Sequence, residues 1–255
     1  MISKYGTIGI LGGMGPEATA NAYHEIIDST PVTRDQEHIP VIIYSNPQIP
    51  DRTEGILYDM ESPLPELLVT TKKLEYSGAD FVIIPCNTSH FFIKELRASV
   101  NIPVISMIEE TLAFVKNNYP HITKVGLLAT TGTITTGIYK NIFSSANIDI
   151  ISPEGKSQES LVMESIYGKN GIKSGKKEHP NKLLKKAVLN LQDKGAELII
   201  MGCTEIPLAL NQKDVECILI NPTRILCEKA VLLAKEHYKH ESELIIEEEE
   251  EWISE

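Results

Sequence analysis

The feature that most constrains how this chain can fold is a repeat. Gly9, Leu11 and Gly15 in TIGILGGMG align with Gly126, Leu128 and Gly132 in KVGLLATTG, 117 positions further on. Gly78, Ala79, Asp80 and Cys86 in GADFVIIPC align with Gly195, Ala196, Glu197 and Cys203 in GAELIIMGC at the same separation of 117. One such match is what any two strand-helix units would give, because a Gly before a buried strand and a small residue after it are common. Two well-separated matches with no net insertion between them indicate an internal duplication.

What is duplicated is an α/β unit. Short apolar, β-branched runs recur between stretches of helical periodicity: TIGIL at 7 to 11, VIIYS at 41 to 45, DFVII at 80 to 84 and PVIS at 103 to 106. The second series is KVGLL at 124 to 128, IDIIS at 148 to 152, ELIIM at 197 to 201 and CILIN at 217 to 221. Such runs read as parallel strands buried on both faces by helices. The expected architecture is two pseudosymmetric parallel-sheet α/β subdomains, with an active site in the cleft where the strand carboxyl ends meet. The first domain is expected over 1–108 plus a returning final helix within 222–240, and the second over 109–221. Residues 155–182, rich in Lys and Gly, read as a helix followed by a mobile flap. Residues 241–255, with the run Glu247 to Glu251, read as a solvated acidic tail without chemistry.

At 255 residues and 42% hydrophobic content the chain can bury a sizeable core. Thirty-five acidic against 24 basic residues give a net charge of −11, which argues against nucleic acid or an anionic membrane surface as partner. No apolar run approaches the roughly 18 residues of a membrane span, and the amino terminus lacks the pattern of a signal peptide. The four cysteines have neither CxxC spacing nor the density of a disulfide scaffold, so free thiols in a cytoplasmic protein are expected.

Cys86 and Cys203 each follow a buried strand and precede a segment with helical spacing. At a helix amino terminus the unpaired amides and the dipole favour a thiolate, lowering a pKa of about 8.5 in free cysteine. A lone cysteine at a strand end is usually packing. The duplication changes that reading, because approximate twofold symmetry sets the two sulfurs on opposite sides of one cleft. A thiolate on one face of a stereocentre and a thiol on the other is the arrangement racemisation requires. Cys217, opening a strand, and Cys227, inside a helical pattern, read as core residues.

The segments GILGGMGPEAT at 9 to 19, PCNTSH at 85 to 90 and GCTEIP at 202 to 207 resemble the aspartate racemase branch of the aspartate/glutamate racemase family. The resemblance runs from about Thr7 to the last helix. It implies racemisation by two opposed cysteines without pyridoxal or any other cofactor, usually in a homodimer. The Gly12-Gly13-Met14-Gly15 turn, and Glu205 rather than His after Cys203-Thr204, resemble the aspartate branch more than the glutamate branch. Arg52 in NPQIPDRT matches a position that binds a substrate carboxylate, and Lys173 in the flap is similar to a second cationic anchor. The implied substrate is a small dicarboxylic amino acid. Asn87, Thr88, Thr204, Thr130, Thr131 and Thr133 could hydrogen-bond it or merely cap helices, and Met14 and Gly15 would let backbone approach it. Glu205 reads as an exposed first-turn acid serving the helix dipole, and His90 is given no role.

Two rival readings remain open at this level. Gly13, Gly15 and Ala18 fit the spacing of a dinucleotide-binding turn, but VIIYSNP ends without the acidic residue such a site needs. A two-lobed binding or sensor protein would fit the fold but leaves the symmetric cysteines unexplained.

Overall fold

A computed structural model describes residues 5–236. It contains two four-stranded, all-parallel sheets. The first comprises β1 (Ile8–Gly12), β2 (Val41–Ser45), β3 (Phe81–Ile83) and β4 (Val104–Ile105), in the order β2-β1-β3-β4. The second comprises β5 (Lys124–Leu128), β6 (Asp149–Ile151), β7 (Leu198–Met201) and β8 (Ile218–Ile220), in the order β6-β5-β7-β8. The register repeats as well: Gly9 pairs with Val82 in the first sheet, and Gly126 with Ile199 in the second.

The repeated residues have repeated physical jobs. The helices Leu64–Tyr76 and Glu178–Asp193 both end in a turn closed by paired amide bonds. Gly78 and Ala79 donate to Glu75 and Leu74, and Gly195 and Ala196 donate to Gln192 and Leu191. Both glycines sit at φ +90°, a conformation other residues rarely adopt. The alanine that follows faces the glycine of the central strand, since a Cβ on Gly9 would lie 2.9 Å from Ala79 Cβ and one on Gly126 would lie 3.1 Å from Ala196 Cβ. The acid comes next. Asp80 accepts from the Thr7 amide, and Glu197 accepts from the Thr123 and Lys124 amides, so each carboxylate satisfies the exposed start of the neighbouring strand.

Side-chain alternation along each central strand divides the core into layers. Ile8, Ile10 and Ile83 face a layer with Ala22 and Ile26, while Leu11, Val82 and Ile84 face Leu67, Leu74 and Leu96. In the second half Leu128 and Ile199 meet Leu184, Val188 and Leu191, and Val125, Leu127 and Ile200 meet Val115, Tyr139 and Phe143. Fully burying each such side chain contributes about 1.5–3 kcal/mol.

A final helix occupies 222–236 among the described residues. Its Leu226, Cys227, Ala230 and Ala234 join the first half's core, while Ile225 joins the second's. The acidic tail expected at 241–255 lies outside the described residues, as do positions 237–240 of the expected helix. Cys227 is fully buried and Cys217 partly buried beside β8. Among the described residues no helix is long and apolar enough to cross a membrane.

Two expected elements take a different form. Residues 155–182 make no detached flap: Val162, Ile166 and Ile172 are buried in the second half's core, and a wide π-helical turn spans Gln158–Met163. Ile172 thereby anchors the 3-10 turn Ile172–Ser174, which carries Lys173. After Cys203 no α-helix follows, only a 3-10 turn at Ile206–Leu208. Pro207 lacks an amide to continue a helix, and Asn211 starts a new turn through a capping box with Asp214.

Candidate active site

The carboxyl ends of the central strands converge on one narrow cavity between the halves, with room for about 10 Å³. From the first half it is lined by Met14, Arg52, Cys86, Asn87 and Thr88. From the second come Thr130, Tyr167, Lys173, Gly202, Cys203, Thr204 and Glu205. Both sulfurs border it, each cysteine only 6% exposed, and both thiols are free.

The short turns after β3 and β7 place the cysteines, and each is then fixed by a different neighbour. On the first side His90 donates from Nδ1 to the Cys86 carbonyl at 2.9 Å, while its Nε2 accepts from the Met107 amide at 3.0 Å. Burial pushes the His90 pKa down to about 4, so the ring is neutral and serves as a strut between the Cys86 turn and the helix Met107–Asn118. His90 therefore has a structural role that its sequence position did not disclose.

Arg52 is the cation on the Cys86 side. Asp51 caps the short helix Arg52–Leu57 by accepting from the Thr53 and Glu54 amides at 2.8 and 3.1 Å, which sets the arginine's direction. Its Nη1 donates to the Ile49 and Pro50 carbonyls at 3.2 and 3.0 Å. Burial opposes the guanidinium charge, and Cys86, Asp51 and Tyr167 more than offset it. The Tyr139 hydroxyl donates to Asn87 Oδ1 at 2.6 Å. Among the described residues Asn87 Nδ2 and Arg52 Nε are buried donors without hydrogen-bond partners. Unpaired buried donors are costly, and both residues line the cavity.

The Cys203 side carries a carboxylate. Glu205 is 5% exposed and not the solvent-facing helix acid the sequence suggested. Without an α-helix after Cys203, the chain turns inward at this residue. Its Oε2 accepts from the Cys203 thiol at 2.9 Å and from the Thr204 hydroxyl at 3.3 Å. Its Oε1 pairs with Lys173 Nζ at 2.8 Å. Burial pushes the Cys203 thiol well up, Glu205 adds to the rise, and Lys173 partly opposes it. For Lys173, burial works against the charge and Glu205 more than compensates. The activation by a helix terminus expected for both thiols is thus missing at Cys203.

Tyr167 closes the cavity between the halves. Its hydroxyl donates to Asp51 Oδ2 at 3.3 Å, and Lys173 Nζ lies 5.3 Å from its ring centroid. Burial raises its phenol pKa above the ordinary range. Little in the sequence singles out Tyr167; the available hint is an aromatic just before the Lys-rich GKNGIKSGK stretch.

The expected threonines divide. Thr88 and Thr130 line the cavity, and their hydroxyls form a triangle with Thr133 at 2.8 to 3.2 Å that joins the halves behind it. Thr131 is not brought to the cavity wall, since its hydroxyl bonds Glu159 and its amide meets Met163 sulfur. Gly15 sits at the rim, where an added Cβ would lie 3.4 Å from Glu205 and 3.7 Å from Lys173. The glycine turn packs closely on the neighbouring loop: a Cβ on Gly13 would fall 2.3 Å from the Asn46 backbone.

Fold and cavity together define a two-lobed α/β protein with a thiol-bearing cleft flanked by Arg52 and Lys173. The model of the Asp/Glu/hydantoin racemase family matches residues 11–230, and the chain belongs to that family. It is an amino-acid racemase. The broad specificity amino-acid racemase RacX of Bacillus subtilis is 26% identical, covering 88% of this chain and 96% of that protein. The aspartate racemase of Picrophilus torridus superposes with a TM-score of 0.79 at 27% identity, covering 92% of this chain and 98% of that one. An aspartate racemase homologue from Pyrococcus horikoshii OT3 gives 0.72 at 26% identity, covering 89% and 98%.

Proposed function

We propose that this racemase interconverts the enantiomers of aspartate with Cys86 and Cys203 as paired acid and base. The observation that carries the reading is that both cysteines line one cavity from opposite lobes, together with Arg52, Lys173 and Asn87. One sulfur, as thiolate, removes the α-proton from one face; the other, as thiol, returns a proton to the opposite face. The roles reverse for the other enantiomer. The α-hydrogen beside a carboxylate is only weakly acidic, so the developing negative charge needs fixed donors. Arg52 and the unpaired amide of Asn87 supply them in a dry site. Lys173 is the second anchor, for the side-chain carboxylate.

Preference for aspartate draws on the similarity to Picrophilus torridus aspartate racemase. A broader specificity is favoured by one specific observation: Lys173 is already paired with Glu205, so a side-chain carboxylate must compete for it. Incubation in deuterated water with enantiopure amino acids, followed by proton NMR of the α-hydrogen, separates the two. Aspartate exchanging well ahead of glutamate and of neutral amino acids supports the dicarboxylate reading. Comparable exchange of neutral amino acids contradicts it. A homodimeric state and a cytoplasmic location are proposed with it, the former checked by light scattering on the eluting protein.

A further inference from the structure

Position 205 is where the repeat ceases to repeat chemistry. Thr88 stands two residues past Cys86, and Glu205 two residues past Cys203. Thr88 gives its hydroxyl to Thr130 and Thr133. Glu205 gives both carboxylate oxygens to the site: one to the Cys203 thiol and Thr204, the other to Lys173. Desolvating a carboxylate costs several kcal/mol unless its lone pairs are matched. The matching partners here are the second thiol, its neighbour Thr204 and Lys173. The 3-10 turn at Ile206–Leu208 receives no side-chain cap from Glu205, so capping does not account for its burial.

We propose that Glu205 is a positioning residue for the second thiol: its carboxylate, itself held by Lys173, keeps the proton on Cys203, so that the free enzyme rests with Cys203 as the acid. The proposal rests on the two-thiol reading and adds a resting polarity to it. Other titratable groups facing Cys203 are Tyr167 and Lys173 from the 155–182 segment and Tyr139 from its own lobe, with Cys86 and Arg52 across the cavity. Among these Glu205 makes the direct contact. Lys173 opposes it, so the two ought to act on the thiol with opposite signs.

The test reads the Cys203 thiolate by its ultraviolet absorbance as pH is raised, in full-length protein carrying Cys86→Ala. Subtracting the same titration of Cys86→Ala/Cys203→Ala isolates Cys203 from the other thiols and the tyrosines. Adding Glu205→Gln removes a like charge and lowers the midpoint by about 1–3 pH units. Adding Lys173→Met instead raises the midpoint. A site merely loosened by substitution would move the same way in both variants, so the opposite signs report the charges themselves. An unmoved or raised midpoint in Glu205→Gln, or a lowered one in Lys173→Met, overturns the proposal. Should Glu205→Gln not fold, Glu205→Asp, which draws the carboxylate back from the sulfur, is expected to lower the midpoint, and an unmoved or raised midpoint there overturns the proposal. The titration needs no turnover, so loss of α-hydrogen exchange would count against the racemisation reading and leave this one intact.

Discussion

The two lobes share a backbone plan, yet they surround their cysteines with opposite charge. In the first lobe the Cys86 turn is braced by a neutral His90 and faced by the Arg52 guanidinium. In the second, Cys203 donates to the Glu205 carboxylate, and a lysine holds that carboxylate from the far side. The repeat preserves what the backbone needs: a glycine at φ +90°, an alanine packed on the central strand, an acid satisfying the next strand's amides, and a cysteine at the strand end. Charge comes from outside that frame. Arg52 follows β2 and Lys173 follows β6, so each lobe contributes one cation from its second-strand connection, but only the second lobe answers it with a buried carboxylate. Duplication thus provides the opposition of the thiols, and divergence at a few positions provides their inequality.

The most severe way to break this comparison is to remove one cation at a time. Arg52→Leu takes away the buried guanidinium on the Cys86 side, and kcat/KM for aspartate is expected to fall by about a hundredfold or more, from about 3 kcal/mol of charge-assisted hydrogen bonding. Lys173→Met is expected to cost only about tenfold, because Glu205 already neutralises the lysine in the free protein. Steady-state kinetics on the two variants decide; a larger loss in Lys173→Met would invert the account of the anchors.

Position 90 sharpens the comparison through stability. His90 corresponds to Pro207 in the second lobe, so only the first lobe braces its cysteine turn with a buried imidazole. The folded-state pKa of about 4 lies below the ordinary imidazole value of 6.5, so the unfolded chain binds the extra proton first. That contribution is fully present above pH 6.5 and is lost as pH falls towards 4. Across that window about 3 kcal/mol of stability is expected to disappear through this group. Urea denaturation from pH 7 downward checks it: His90→Asn is expected to be less stable at neutral pH and to show a shallower decline, and an unchanged slope would contradict the strut.

The smallest effect concerns the shared glycine of the central strands. Gly9→Ala meets Ala79 Cβ at 2.9 Å and the Phe81 carbonyl at 3.2 Å, neither of which can move alone. Gly126→Ala meets the Ile199 and Leu191 Cδ1 atoms first, at 2.4 and 3.0 Å, and these are ends of flexible side chains. Overpacking costs of about 2–3 kcal/mol at Gly9 and about 1–2 kcal/mol at Gly126 are expected. Equal losses in thermal unfolding would show that the second lobe is as tightly packed as the first.

These contrasts also locate what the sequence made legible. All eight strands were readable within two residues, because buried parallel strands are continuous apolar runs and helices interrupt them with a different period. The repeat was readable because its glycines and alanines answer a packing constraint that admits little else. Glu205 was misread because TEIPLAL has helical spacing; Pro207 and the Asn211 capping box, which break the chain into short turns, act through geometry that spacing does not encode. Tyr167 was missed because its use depends on Asp51, 116 positions away in the other lobe. Residues 155–182 read as a flap because their charge is conspicuous, whereas their anchors, Val162, Ile166 and Ile172, are three apolar residues spaced among it.

The central claim is that two thiols act on opposite faces of one stereocentre. It is tested most directly by α-hydrogen exchange in deuterated water with the single variants Cys86→Ser and Cys203→Ser, each offered L- and D-aspartate separately. Loss of one acid-base partner is expected to lower racemisation by about 10²–10⁴-fold, with each variant retaining exchange of one enantiomer only, and the opposite one in the two proteins. Normal racemisation by either variant, or retention of the same enantiomer's exchange by both, would contradict it.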